Sequence, residues 1–139
     1  MDETKIIHVE IVTPEKVQYK DTALAVTVPG TKSPFQVLFN HAPIVSSLET
    51  GITTIRNIDD KELFFATSPG FVEVLRNKVS ILVDNAEEAS ELNPQEIEDR
   101  IKENKRKLKD PEHLKESETL RFQIRLDQNR LKAKEKLSG

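Results

Sequence analysis

The 139-residue chain has no cysteine and no tryptophan, one tyrosine, one methionine and four glycines. Without cysteine there is no disulfide, no thiolate metal site and no cysteine nucleophile. The absence agrees with a reducing compartment without proving one. The glycines are too few for a phosphate-cradling loop. No stretch approaches about 18 consecutive apolar residues, so no direct membrane span is expected. The opening Met1-Asp2-Glu3-Thr4-Lys5 is short and acidic and reads as neither a signal nor a transit peptide. Ser46-Ser47 lacks a Gly-x-Ser-x-Gly frame. His8 lies on the polar side of a strand, His113 in the first turn of a helix, and His41 is a lone corner residue. None has the company a metal or a nucleophile needs. Asp59-Asp60 and Glu87-Glu88 are adjacent pairs whose members do not point at one substrate, so each is read as solvated charge. No catalytic residue, metal site or cofactor is expected, and the chain is not expected to be an enzyme by itself.

Charge and punctuation are what the chain has in quantity. Charged residues make up 32% and the formal net charge is −3. Residues 1–92 carry 8 Lys/Arg and 14 Asp/Glu, while residues 93–139 carry 13 and 10. A basic tail on an acidic body predicts two segments with different tasks. The tail's cations are interleaved with acids and accompanied by one aromatic, Phe122, so nucleic acid is not an expected partner.

The first segment is a succession of short strands. In 5–12, Ile7, Val9 and Ile11 alternate with His8 and Glu10, the pattern of a half-buried strand. Thr13-Pro14 turns the chain. Val17 and Tyr19 mark a second strand, and 22–28 reads as a third, with Leu24, Val26 and Val28 on one side. Further runs at 35–38, 44–48, 51–56, 62–66, 71–75 and 79–83 are separated by turn residues. Nine or ten strands spaced eight to ten residues apart predict a β-sandwich or flattened barrel.

The second segment reads as two helices. Asn93-Pro94-Gln95-Glu96 is a helix start with a capping box, and Asp110-Pro111 repeats the signal. The predicted helices run to about Lys109 and Lys136 and form an antiparallel hairpin. Their apolar residues are sparse. Leu120, Ile124 and Leu131 share a face, while Phe122 and Leu126 point elsewhere. Such a hairpin needs a surface to lie on. It either folds back on its own sandwich or engages a partner. The expected fold class is therefore α+β, with a sandwich over 1–88 and a helical hairpin over 89–139.

Between two strands lies the richest run of turn formers, Val28-Pro29-Gly30-Thr31-Lys32-Ser33-Pro34-Phe35-Gln36-Val37-Leu38-Phe39-Asn40-His41-Ala42-Pro43. It reads as a pair of exposed corners joined by one short strand, where binding residues tend to sit. This run resembles a corner of the epsilon subunits of F-type ATP synthases, V-P-G-x-x-G-x-F-G-V-L-P-x-H-A-P followed by L-x-x-G, here Leu48 and Gly51. Gly70-Phe71-Val72-Glu73-Val74 with Asn77, the run 79–87, and Thr13-Pro14 are similar to further motifs of that family in the same order. Ser33, Pro34, Gln36, Phe39 and Pro69 depart from its pattern.

The resemblance implies a non-catalytic rotor subunit of a proton-translocating synthase. Its implied partners are a gamma subunit and the membrane c-ring, through Thr31, Lys32, Ser33, Pro34, Phe39, Asn40, His41, Ala42 and Pro43. Catalytic beta subunits are a third implied partner, reached by the C-terminal helices with Lys105, Arg106, Lys109, Arg121, Arg125 and Arg130. The helices would restrain ATP hydrolysis. The implied location is peripheral, on the cytoplasmic face of an energy-transducing membrane such as the bacterial inner membrane. Some family members bind ATP through an I/L-D-x-x-R-A motif. Here Ile97-Glu98-Asp99-Arg100-Ile101-Lys102 has Glu for Asp and its arginine one residue early, so that motif is unmatched. A nucleotide-sensing sandwich whose helical tail binds ATP is the alternative reading.

Overall fold

A computed structural model describes residues 5–139; residues 1–4, which include most of the acidic opening, lie outside the described residues. The strands are β1 (Ile7–Val12), β2 (Val17–Ala23), β3 (Ala25–Val28), β4 (Phe35–Val37), β5 (Ile44–Leu48), β6 (Gly51–Arg56), β7 (Glu62–Thr67), β8 (Gly70–Leu75), β9 (Lys78–Val83) and β10 (Ala86–Glu88). They form two five-stranded sheets, ordered β2-β1-β9-β8-β5 and β10-β7-β6-β3-β4. Neighbouring strands are antiparallel except for the parallel pair β1 and β9. The core lies between the sheets. Ile7, Val9 and Ile11 of β1 meet Val26, Val28 and Ile55 of the facing sheet, with Val72, Val74, Val79 and Ile81 completing it. Each side chain of this size contributes roughly 1.5–3 kcal/mol on full burial.

The α+β class and the sandwich are as the sequence predicts, with corrections in detail. The stretch 22–28 is not one strand. Thr22 and Ala23 end β2 in one sheet, and β3 starts at Ala25 in the other. The chain crosses between sheets at Leu24, whose N–H donates to the Arg56 carbonyl at 2.8 Å. Leu24 is consequently half-buried rather than a core residue. Val17 is 50% exposed. The register slips between Ile11 and Val12, which pair with Tyr19 and Val17, so this end of the outermost strand turns outward.

Tyr19 lies edge-on to Phe65, with ring centroids 5.5 Å apart. Among the described residues its buried hydroxyl has no hydrogen-bond partner. Burial, with help from Asp21 and Glu88, holds the phenol above its ordinary value of 10.0. The folded state therefore disfavours phenolate. The stability this gives is full below the ordinary value and is lost as pH rises through the higher folded-state value. Tyr19→Phe is expected to match or exceed the parent by about 1 kcal/mol at about pH 7. It should also lack the parent's loss at about pH 11. Urea midpoints at both pH values check this.

The predicted helices are α1 (Pro94–Leu108) and α2 (Ser117–Ser138). The Asn93 side chain accepts from the N–H groups of Gln95 and Glu96 at 3.0 and 3.3 Å, as a cap should. The second α-helix starts later than expected. Pro111–Glu116 is a 3₁₀ turn, with Asp110 accepting from the Glu112 N–H at 2.9 Å and His113 off helical geometry. The chain spends this tighter turn reversing direction before α2 begins. His113 Nδ1 lies 3.3 Å from Glu116 Oε1.

The hairpin folds back on the sandwich. α2 packs along α1, and its Leu120, Ile124, Leu126, Asn129 and Ala133 lie buried along its length. Leu126, read as pointing elsewhere, is thus a buried residue of a second face. Ala133 packs against Ala66 of β7 and Ala89, with Ile52 and Phe64 beside it. This explains the unbroken run Leu63-Phe64-Phe65: Phe65 and Leu63 face the sandwich core, and Phe64 faces the hairpin.

Candidate interaction surfaces

The turn-rich run does form exposed corners joined by a short strand, β4. The two corners do not make one site. Thr31 Oγ1 lies 2.8 Å from Ser47 Oγ, and Ser47 pairs with Phe71, so residues 31–34 sit at the Gly70 end of β8. Thr31, Lys32, Ser33 and Pro34 are all exposed. The second corner is tied to the other end of β8. The Asn40 N–H donates to Asn77 Oδ1 at 2.6 Å, and Asn77 Nδ2 returns a bond to Asn40 Oδ1 at 3.2 Å. Asn40 and Asn77 both have positive φ, 63° and 64°, a conformation asparagine adopts more readily than most residues. His41 is half-buried, stacked on Phe35 at 6.4 Å between centroids, with Nδ1 2.7 Å from the Ala42 carbonyl oxygen. Phe39 is half-buried, while Ala42 and Pro43 are exposed.

A surface the sequence reading passed over lies beside the first corner. The hairpin covers part of the second sheet; among the described residues nothing is layered on the outer face of the first sheet. On it Phe71 and Leu82 are direct cross-strand partners, 58% and 49% exposed. Val45 is 70% exposed and Leu75 47% exposed on the same face. Val12, Pro14, Pro69, Phe71 and Leu82 line an open groove of about 390 Å³. Gly70 forms its floor, where a Cβ would run into the Leu82 carbonyl. The signal was present. Phe71-Val72 and Ile81-Leu82-Val83 are apolar on both faces, which a strand solvated on one side does not need.

The hairpin holds a charge network that the sequence also concealed. Arg100 of α1 grips Asp127 of α2, Nη2 to Oδ1 at 2.8 Å and Nε to Oδ2 at 3.2 Å. Arg130 Nη1 reaches the same Oδ1 at 2.8 Å. Arg130 also binds Glu87 of β10, Nε to Oε2 at 2.7 Å and Nη2 to Oε1 at 2.9 Å. Glu87 is therefore not a free solvated charge. Asp127 and Arg130 side chains are 3% and 15% exposed. Burial works against the Arg130 charge, but the bonds to Glu87 and Asp127 more than offset it and raise its pKa. The Asp127 hydrogen bond likewise raises that of Arg100.

The remaining tail cations differ in their freedom. Arg106 is engaged by Glu103 at 2.7 Å. Arg125 lies 5.7 Å from the centre of the Phe122 ring. Lys105, Lys109 and Arg121 are exposed. A cavity of about 610 Å³ opens between the helices, lined by Arg100, Asn104, Lys107, Phe122, Asp127 and Arg130. Its two arginines are already occupied by Asp127. Among the described residues no three His, Asp or Glu side chains gather as a metal site, and no helix is long and apolar enough to cross a membrane.

A ten-stranded sandwich carrying a back-folded helical hairpin, with an exposed apolar patch on its other sheet, defines a class recognisable by comparison. Residues 6–89 match the family described as "ATP synthase, Delta/Epsilon chain, beta-sandwich domain", and the chain belongs to that family. It is 37% identical over 92 residues to the ATP synthase epsilon chain of Desulfosudis oleivorans, covering 66% of this chain and 69% of that one. It is 42% identical over 80 residues to the epsilon chain of Magnetococcus marinus, covering 58% of each. With the epsilon chain of Protochlamydia amoebophila it shares 32% identity over 102 residues, covering 73% of this chain and 69% of the relative. Among solved structures, a chain of the Euglena gracilis mitochondrial ATP synthase (OSCP/F1/c-ring, rotational state 1) has the same fold. The TM-score is 0.75 at 18% identity, covering 88% of this chain and 78% of that one.

Proposed function

We propose that this chain is a non-catalytic central-stalk subunit of an F-type ATP synthase. Its sandwich, residues 1–88, binds a gamma subunit and the membrane c-ring and helps couple proton translocation to ATP synthesis. Its hairpin, residues 89–139, restrains ATP hydrolysis. The observation that carries this reading is the two-sided sandwich. One sheet is partly covered by the chain's own hairpin. The other is bare and apolar around Phe71 and Leu82, as a permanent protein interface requires.

We assign the Phe71–Leu82 face to the gamma subunit. The two corners, Thr31-Lys32-Ser33-Pro34 and Phe39-Asn40-His41-Ala42-Pro43, are assigned to the gamma subunit and the c-ring together, with Pro34 in the loop laid against the ring. Lys105, Arg106, Lys109, Arg121, Arg125 and Arg130 are assigned to acidic surface on catalytic beta subunits once the hairpin has left the sandwich. The location that follows is peripheral, on the cytoplasmic face of an energy-transducing membrane.

The nucleotide-sensing alternative is favoured by one observation, the cavity between the helices with Arg100 and Arg130 on its wall. Asp127 competes with any phosphate for both arginines, so titration of the chain with ATP is expected to show millimolar affinity or none.

Removing residues 93–139 is expected to leave assembly with gamma intact and to raise ATP hydrolysis by the reconstituted complex. An unchanged hydrolysis rate contradicts the regulatory half of the proposal.

A further inference from the structure

The hairpin meets the sandwich through one small apolar patch. Ala133 packs on Ala66 and Ala89, with Ile52 and Phe64 partly buried beside them. Polar contacts accompany it. Asn129 Nδ2 donates to the Gly51 carbonyl of the sandwich at 2.7 Å, and Lys134 Nζ to the Ala89 carbonyl of the connecting turn at 3.2 Å. Among the described residues one ion pair joins the two parts, the two-bond pairing of Arg130 with Glu87.

That pair is the end of a chain of alternating charges: Glu87, Arg130, Asp127, Arg100. Glu87 belongs to the sandwich. The other three belong to the hairpin, one on α1 and two on α2. Of these ion pairs, lifting the hairpin as a unit therefore breaks only the one at Glu87. Arg130 keeps Asp127, one turn earlier on its own helix, and Asp127 keeps Arg100 across the hairpin. Separating a shielded ion pair normally leaves a charge without a partner, which is the costly part of breaking it. Here the departing guanidinium carries a carboxylate with it, and the Glu87 side chain, already 35% exposed, returns to water.

We propose that Glu87 and Arg130 form the release latch of the hairpin, and that Asp127 is a counter-ion which travels with Arg130 and keeps the hairpin intact after release. The latch sets how often the hairpin leaves the sandwich. Asp127 and Arg100 set whether it leaves folded. This rests on the reading that the hairpin does leave; the test uses the isolated chain, so the latch and the inhibitory role fail separately. Glu88, next on β10, is the built-in comparison. It lies near Tyr19 rather than the hairpin.

The cysteine-free chain accepts a nitroxide pair directly, at Asp59→Cys in the β6–β7 loop and Lys115→Cys at the hairpin tip. Glu87→Gln is expected to raise the population with long label separation roughly tenfold, the effect of losing one charge-assisted pair. Glu87→Lys, which repels Arg130, should raise it further, and Glu88→Gln should leave it unchanged. Added salt should move the parent toward the Glu87→Gln distribution while leaving that variant where it is. Amide exchange within α1 and α2 should stay slow in all three variants. A parent-like distance distribution in both Glu87 variants overturns the latch. So does fast exchange throughout the helices, which would show that Glu87 supports folding rather than docking. Opening by Glu87→Gln with unchanged ATP hydrolysis in the assembled complex would leave the latch standing and overturn the inhibitory role.

Discussion

Replacing Phe71 with Glu and Leu82 with Lys is expected to weaken binding to a gamma subunit roughly 100-fold or more, the loss of about 3 kcal/mol from the centre of an interface. The two side chains are direct cross-strand partners on the bare sheet face. Opposite charges there support the strand pairing that like charges would oppose. Both positions are exposed, so the urea midpoint of the isolated chain should move by only about 0.5 kcal/mol equivalent. The loss of affinity is thus separable from any loss of fold. Calorimetric titration with gamma reads the first, and urea unfolding reads the second. Undiminished affinity would move the interface elsewhere, and the corner at Thr31–Ser47 would be the next surface to test.

Asp127→Ala should have the largest effect on stability, and it should fall on the hairpin alone. The substitution takes the carboxylate from between Arg100 and Arg130, of which Arg130 keeps Glu87 and Arg100, 50% exposed, turns to water. Losing these charge-assisted bonds at a position 2% exposed costs about 1.5–3 kcal/mol. The hairpin has few apolar contacts to absorb that. Its helices should unfold at lower urea concentration while the sandwich, with its own core between the sheets, keeps its midpoint. Helical circular dichroism and sandwich amide exchange, followed together, separate the two. Neutralising Arg100 as well should recover part of the loss, since Arg130 still has Glu87 and no cation is then left without a partner. Equal loss in both parts would mean that hairpin and sandwich unfold as one unit.

The sandwich was legible because alternation reports one buried face directly: Ile7, Val9 and Ile11 behave as written. The errors have physical causes. Leu24 continues the apolar pattern of 22–28, yet the chain changes sheets there, and alternation does not reveal which sheet a strand joins. The Pro111 signal marks a helical start, but a reversal needed a 3₁₀ turn first. The charge network was illegible for a different reason. Arg100 and Asp127 are 27 residues apart, and Arg130 and Glu87 are 43 apart. In a segment so rich in charge, each of them looks like part of a solvated surface. The clue was positional: Leu126, Arg130 and Ala133 fall on one face of α2, so a charge lay on a face that had to be buried. The corners were found as exposed turns, but their placement at opposite ends of β8 depends on Thr31–Ser47 and Asn40–Asn77 contacts that no local pattern encodes.

The central claim is that this sandwich is a clamp for a gamma subunit. The most direct test mixes the full chain with gamma and follows the mixture by size-exclusion chromatography with light scattering. The account predicts a stable one-to-one complex that forms with or without residues 93–139 and is lost on substituting Phe71 and Leu82. Separate elution of the two full-length proteins would contradict it.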